Sequence, residues 1–297
     1  LGSATPRSFT GRGMADRPSF LYDTQSNLLL VTADEETQKE AAKLVIEPIF
    51  ETNFLPCSYG FRPGRDATQA ICEIQRVITF QRRTVVLDAD IRSFFDTLDH
   101  GWLMEFVEHR VADRRIVRLI RKWLRAGVSE AGQWSRTTVG VPQGAVISPL
   151  LANIYLHYVL DLWVKEWRKR PARGEVIIVR YADDFVMGFQ YRDDAERFLC
   201  DVQNRFAKFA LTIHQDKTRL IEFGRFAIEN RKKRGAGKPE TFDFLGFTHI
   251  CAKRRKDGKF TVRRKVIAKR MRGKLKEIKD TLMEHRHAPV PQQGQWL

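Results

Sequence analysis

Asp183 and Asp184 close the tetrapeptide Tyr181-Ala182-Asp183-Asp184, with Val176-Ile177-Ile178-Val179 before it and Phe185-Val186-Met187 after it. Apolar runs of that length, rich in β-branched residues, form short buried strands. A tight turn between such strands usually carries Asn-Gly, Asp-Gly or another glycine pair. Here two carboxylates sit at the tip and repel each other, and a divalent cation is the simplest agent that makes such a turn favourable. An isolated Asp-Asp pair reads better as a solvated turn, so the acids around it decide the matter. Asp90 ends the run Thr84-Val85-Val86-Leu87-Asp88-Ala89-Asp90, a strand with an acidic end. A strand end and a hairpin tip can project from one edge of a sheet into one cleft. Two or three converging carboxylates are hard ligands suited to a pair of Mg²⁺ ions, the arrangement used for in-line phosphoryl or nucleotidyl transfer. No Ser-His or Cys-His pair competes as a nucleophile.

The elements that must position these acids can be read from pattern. Residues 36–51 have helical periodicity, and the loop Cys57-Ser58-Tyr59-Gly60-Phe61-Arg62-Pro63-Gly64-Arg65 is built from turn formers. Helices follow over about 66–80, from an Asp99 N-cap to His109 and Arg110, and over about 114–126. A Gly-Pro loop at 137–147 leads to Ser148-Pro149, an N-cap and first-turn pair opening a helix to Trp167. After the acidic hairpin come a helix over 193–209 and a strand over 218–223. Residues 231–238 form a charged linker. From Lys265 onward Ile267, Met271, Leu275, Ile278 and Leu282 make an apolar stripe at helical spacing, predicting a helix packed on one side with cations on the other. Residues 1–36 have no sustained period and predict a loose, atypical start.

Composition narrows the class of partner. The chain has 297 residues, 43% hydrophobic, with a net charge of +16. Residues 225–297 hold 21 Lys and Arg against 7 Asp and Glu, a balance of +14, while residues 1–224 hold 31 against 29, only +2. Excess positive charge gathered in one quarter points to a polyanion, and nucleic acid fits best. The basic region lacks the aromatic-studded apolar face of an interfacial helix, and no stretch approaches the roughly 18 apolar residues of a membrane span. No signal-peptide pattern opens the chain. Cys57, Cys72, Cys200 and Cys251 form no CxxC pair and read as reduced, mostly buried thiols of a cytoplasmic protein. His285 and His287 sit in a basic tail and read as a solvated helix end.

Six blocks now stand in order: EPIFETNFLPCSYGFRPGR, DADIRSFFDTLDH, GVPQGAVISPLLANIYL, YADD, HQDKT and FDFLGF. Together they resemble the bacterial group II intron reverse transcriptase/maturase family over residues 37–297. The resemblance implies an α+β right-hand polymerase fold: a divergent segment at 1–36, fingers and palm over 37–240, and over 241–297 a primer-grip turn and the basic start of a helical thumb. It implies an RNA-directed DNA polymerase that uses two Mg²⁺ ions, with Mn²⁺ as a substitute, to add dNTPs to a DNA primer on an RNA template. A structured intron RNA is the further partner.

By the same resemblance Asp90 and Asp183 are the main metal ligands, Asp184 the third catalytic carboxylate, and the Ile91 carbonyl a ligand of the nucleotide-bound ion. Phe95 takes the place of an aromatic gate against the ribose 2′-OH, or else packs in the core as Phe94 does. Gln143 and Gly144 line the nucleotide pocket. Arg62 and Arg65 meet the triphosphate or serve as structural arginines. Lys217 protonates departing pyrophosphate or is simply solvated. Leu245, Gly246 and Phe247 form the primer grip.

Two departures bear on function. Ahead of EPIFE the family has a basic RPLGIP-type stretch, whereas residues 24–36 are acidic here, and no HNH-like His/Cys cluster is present. The rival readings are an RNA-binding splicing cofactor without polymerase activity, and a reverse transcriptase of a diversity-generating or phage-defence system.

Overall fold

The computed structural model describes residues 19–23, 28–32, 35–80, 84–125, 128–130, 133–135, 139–141 and 146–287. In chain order the elements begin with β1 (Ser19–Asp23), β2 (Leu28–Thr32), α1 (Glu35–Glu51), α2 (Ala67–Phe80), β3 (Val85–Ala89), α3 (Phe94–Thr97), α4 (His100–Glu108) and α5 (Arg114–Arg125). Then come β4 (Val128–Glu130), β5 (Gln133–Ser135), α6 (Ser148–Leu156), α7 (Leu162–Trp167), β6 (Val176–Tyr181), β7 (Asp184–Phe189) and α8 (Arg192–Ala207). The remainder is β8 (Arg219–Glu222), α9 (Ala227–Lys233), β9 (Phe242–Phe244), β10 (Phe247–Lys253), β11 (Phe260–Val266) and α10 (Ala268–His285).

The central sheet is antiparallel in the order β6-β7-β3-β8. Its strands are apolar on both faces because both are covered. Val85, Leu87, Ala89, Val176, Ile178, Phe185, Met187 and Phe189 join the core built with α4, α6 and α8. Val86, Val179, Val186 and Ile221 join a second core with α2 and the β9–β11 sheet. That alternation is the period-two consequence of strand geometry. It fixes the register strongly, since a one-residue slip would exchange the two sets.

A buried arginine ties this sheet to its surroundings. Arg180, fully buried on β6, donates from Nε and Nη2 to the two carboxylate oxygens of Asp161 at 2.9 and 2.6 Å. Its Nη1 donates to Asn153 Oδ1 and to the Ala182 carbonyl, both at 2.9 Å. Asn153 in turn donates from Nδ2 to the Gly60 carbonyl at 2.7 Å. Asp161 is the last residue of a π-helical turn, His157–Asp161, between α6 and α7. Such wide turns shift the register of the side chains that follow. The 57–62 loop completes the junction through Tyr59 N to Arg180 O and Arg180 N to Cys57 O, each 2.8 Å.

Several expectations are corrected. The start is not wholly irregular: β1 and β2 form a hairpin with Tyr22 opposite Leu29, built on the run Leu28-Leu29-Leu30-Val31. The apolar stripe of α10 is present but uncovered, with Met271, Leu275, Ile278 and Leu282 each more than 40% exposed. Of the thiols only Cys251 is buried; Cys72 and Cys200 are exposed and Cys57 is intermediate. Ser148 begins α6 rather than capping it, with Ile147 in the cap position and Pro149 in the first turn. Among the described residues no helix is long and apolar enough to cross a membrane.

Two measurements check this packing. Arg180→Met leaves Asp161 buried without its partner and should destabilise the protein by about 3–5 kcal/mol in urea denaturation; Arg180→Met/Asp161→Leu should recover part of the loss. His249 is buried, stacks on Phe242 with ring centroids 4.6 Å apart, and has no hydrogen-bond partner at either ring nitrogen. Burial holds its pKa down at about 4. The unfolded chain therefore binds a proton that the folded chain excludes, so His249 costs nothing above its ordinary pKa of about 6.5 and destabilises as pH falls from there toward 4. His249→Phe should flatten the stability profile across that window.

Candidate active site

The register of the sheet brings the acids together. Ala89 pairs with Phe185 across β3 and β7, so Asp90, one residue beyond Ala89, comes level with Asp184 at the same end of the sheet. Tyr181 pairs with Asp184 across β6 and β7, leaving Ala182 and Asp183 as the two-residue turn. Ala182 has φ +55°, a left-handed conformation that glycine usually takes. The bond from Arg180 to the Ala182 carbonyl helps to hold it there. From outside, Gly60 lies so close that a Cβ there would meet Ala182 N at 2.4 Å and Tyr181 C at 3.0 Å. Any side chain at position 60 would push the loop off the acidic turn.

Asp90 is followed by a single antiparallel bridge, Ile91 opposite Ile213, flanked by Arg92 N to Thr212 O and His214 N to Asp90 O, each 2.9 Å. The bonds lie on either side of Ile91, so the bridge leaves the Ile91 carbonyl uncommitted. On the 3₁₀ turn Gln215–Lys217 the Lys217 Nζ donates to Asp90 Oδ2 at 2.6 Å. That hydrogen bond, with the charges of Asp90, Asp184 and Asp183, raises the Lys217 pKa and keeps the amine protonated.

Asp88, two residues before Asp90, adds a fourth carboxylate and accepts from Arg219 Nη2 at 3.2 Å. Burial is the first cause raising the pKa of Asp88, Asp183 and Asp184. For Asp184 the charges of Asp183, Asp90 and Asp88 add to it, bringing the group to about 6. The cluster thus holds more negative charge than Lys217 and Arg219 balance. Hard oxygen donors, mutual repulsion and partial burial fit a divalent cation. The side chains as arranged do not form a closed ligand shell: among the described residues no three His, Cys, Asp or Glu are gathered at metal-holding spacing.

Two cavities meet at the acids. One, about 470 Å³, is lined by Asp90, Ile91, Phe95, Asp183, His214 and Lys217 among others. Phe95 is partly buried there, 5.4 Å from the Phe94 ring by centroids, while Phe94 itself is core. The Phe95 carbonyl accepts from Val141 N at 2.7 Å, which anchors the entry to the Gly-Pro loop. Gln143 and Gly144 lie outside the described residues. The other cavity, about 410 Å³, has Asp88, Asp90, Asp184 and Lys217 on one wall and Asp243, Leu245 and Gly246 on the other. Leu245 (φ +49°) and Gly246 (φ +85°) are the turn between β9 and β10. The Gly246 carbonyl accepts from Ile267 N at 3.1 Å, at the start of α10. Phe247, partly buried, packs on the second core.

The two arginines part company. Arg62 is buried, with Nε and Nη2 on Glu51 and Nη1 on the carbonyls of Leu55 and Ser58 at 2.8 Å. Its donors are spent on the 55–62 loop, so of its two readings the structural one describes its place. Arg65 lies over the Tyr59 ring at 5.0 Å and is partly exposed. Sequence reasoning missed Asp88, Arg219, Asp243 and the Arg180 junction. Only Asp88 had a signal, its i, i+2 spacing from Asp90. It also missed Phe61, 52% exposed beside Tyr181 with ring centroids 6.1 Å apart.

Comparison with known proteins agrees with this geometry. The model of the family described as "Reverse transcriptase (RNA-dependent DNA polymerase)" matches residues 30–249. Protein YkfC of Escherichia coli K12 is 35% identical over 216 residues, 61% of this chain and 56% of that protein. The group II intron-encoded protein LtrA of Lactococcus lactis subsp. cremoris is 38% identical over 146 residues, 48% of this chain and 24% of that protein. The chain thus covers about half or less of the length of these relatives. The apo telomerase of Candida tropicalis, truncated from its C-terminal domain, shares the fold at a TM-score of 0.54 and 14% identity, covering 77% of this chain and 45% of that one. The chain has the α+β right-hand polymerase fold and belongs to the reverse transcriptase (RNA-dependent DNA polymerase) family.

Proposed function

We propose that this chain is an RNA-directed DNA polymerase of the group II intron type, extending a DNA primer with dNTPs on an RNA template. The observation that carries the reading is the meeting of Asp90, Asp183 and Asp184 at one sheet end, between a cavity walled by Phe95 and one walled by the Leu245–Gly246 turn. Reverse transcriptases as a family use divalent metal ions, and the three carboxylates with the Ile91 carbonyl are the groups that would hold two Mg²⁺, or Mn²⁺ in their place. Such ions, when bound, supply the positive charge that lowers the pKa of a primer 3′-OH and neutralises a triphosphate.

The chain's own residues account for the rest. Phe95 sets its ring where the sugar of an incoming nucleotide sits and leaves no room for a 2′-OH. Lys217 holds a proton at Nζ beside Asp90 that it would give to the oxygen of departing pyrophosphate. Arg65 offers a planar guanidinium to the triphosphate, while Arg62 stiffens the loop that carries it. Leu245, Gly246 and Phe247 bring backbone against the primer strand, and the basic strands β10 and β11 with α10 approach the hybrid's phosphates. On this reading residues 37–240 are fingers and palm, and 241–297 the primer grip and thumb start. The intron-encoded and maturase names among the relatives, such as nuclear intron maturase 2 of Arabidopsis thaliana, support intron RNA as a further partner.

In primer extension on an oligonucleotide-primed RNA template with Mg²⁺ and dNTPs, Asp183→Ala should lower the rate by at least ~10²–10³-fold. If the wild type does not extend but still binds the RNA, the reading shifts to an RNA-binding splicing cofactor or an inactive polymerase. Phe95→Val should narrow the dNTP-over-rNTP preference in kcat/KM by about 10–200-fold, the scale of one steric contact. Unchanged sugar selectivity would remove Phe95 from the gate.

A further inference from the structure

At the end of the β6–β7 hairpin opposite the acidic turn lies a basic surface that the polymerase reading does not use. Residues 165–173 contain five cations and one acid, Glu166, within a stretch of the chain that is otherwise close to neutral. Lys165, Arg168, Lys169 and Arg173 line an open cavity of about 680 Å³. All four side chains are exposed. Lys169 pairs with the equally exposed Glu166 at 2.8 Å, a contact that solvent screens.

The backbone under these cations is held firmly. Asp194, fully buried at the start of α8, accepts from Arg173 N at 3.1 Å and Gly174 N at 2.9 Å. Arg197 Nη1 donates to the Pro171 carbonyl at 2.5 Å. Trp167, buried, donates from Nε1 to Asp201 at 2.8 Å and fixes the end of α7. Gly174 lies against the ring of Tyr191, where a Cβ would come within 2.6 Å of it. Tyr191 is 50% exposed.

We infer that this surface is a second nucleic-acid site, taking a single-stranded or looped RNA segment with its phosphates on Lys165, Arg168, Lys169 and Arg173 and a base stacked on Tyr191. Exposed cations beside an exposed aromatic ring on a fixed backbone suit a segment whose bases are splayed out. An anionic membrane would use the cations, but the cavity lining offers it no large exposed apolar side chain to bury. The length of β6 puts roughly 17 Å or more between this surface and the acidic turn. The site therefore takes a part of the RNA other than the nucleotides being copied.

The test uses the full chain and an unprimed single-stranded RNA oligonucleotide, followed by fluorescence anisotropy across a salt series. Lys165→Ala/Arg168→Ala/Lys169→Ala/Arg173→Ala should weaken binding at least tenfold at low salt and make the log Kd against log salt slope shallower by about 3, four phosphate contacts at ~0.7 each. Tyr191→Ala should weaken binding with no change in slope. Extension of a preannealed primer–template should be the same in all three proteins, so its absence in the wild type would count against the polymerase reading alone. An unchanged affinity and slope in the quadruple variant would overturn the inference. So would a loss that Tyr191→Ala does not share and that anionic vesicles of phosphatidylserine and phosphatidylcholine reproduce. Photo-cross-linking of 5-iodouridine RNA to Tyr191 in the wild type supports the site without any variant, and cross-linking confined to other regions overturns it.

Discussion

The arrangement of the acids depends on one buried ion pair. Arg180 and Asp161 are both removed from water, a step whose desolvation penalty only close geometry and full hydrogen bonding offset. Both conditions are met: Arg180 spends its donors on Asp161, Asn153 and the Ala182 carbonyl. What this secures is position rather than stability. The same guanidinium reaches the acidic turn, the helix carrying Asn153 and, through Asn153, the Gly60 loop. Asp183 and Asp184 are thereby fixed relative to β3 and Asp90.

That rigidity explains how four carboxylates coexist at one sheet end. Burial, with repulsion among them added to it, raises Asp184 to about 6 and raises Asp183 and Asp88 as well. A softer scaffold would relieve the repulsion by turning the acids outward. Here the sheet register, the bond to Ala182 and the close approach of Gly60 keep them together, and Lys217 and Arg219 neutralise only part of the charge. The site is electrostatically strained toward a cation, and two cavities flank it.

Much of this was legible in the sequence because its signals are local. Val176–Val179 and Phe185–Met187 read as buried strands and are so; of the two acids expected at the tip, Asp183 lies in the turn, while Asp184 opens β7 opposite Tyr181. Asp90 read as a strand end able to share a cleft with them, and Asp99 capped α4 as its type suggested, accepting from Trp102 N at 2.9 Å. What was not legible depends on contacts distant along the chain. Nothing local marks Arg180 as buried, and its partner Asp161 lies 19 residues away at the end of a π-helical turn. Arg62 could not be told from a phosphate-binding arginine until Glu51 and two carbonyls were seen around it. The apolar stripe of α10 was read correctly as a periodicity and wrongly as a packed face, because periodicity reports what a helix could bury and not whether anything covers it. The surface at Lys165–Arg173 escaped notice for another reason: net charge summed over 224 residues hides a local cluster balanced by acids elsewhere.

The central claim is that Asp90, Asp183 and Asp184 form a divalent-cation site that Lys217 holds in waiting. Anomalous diffraction from crystals grown with Mn²⁺, a primer–template and a non-reactive dNTP analogue tests it most directly. The account predicts manganese peaks within ligand distance of Asp90 and Asp183, with Lys217 Nζ moved off Asp90. Manganese absent from these carboxylates, or Lys217 still bonded to Asp90 with the nucleotide analogue bound, would contradict it.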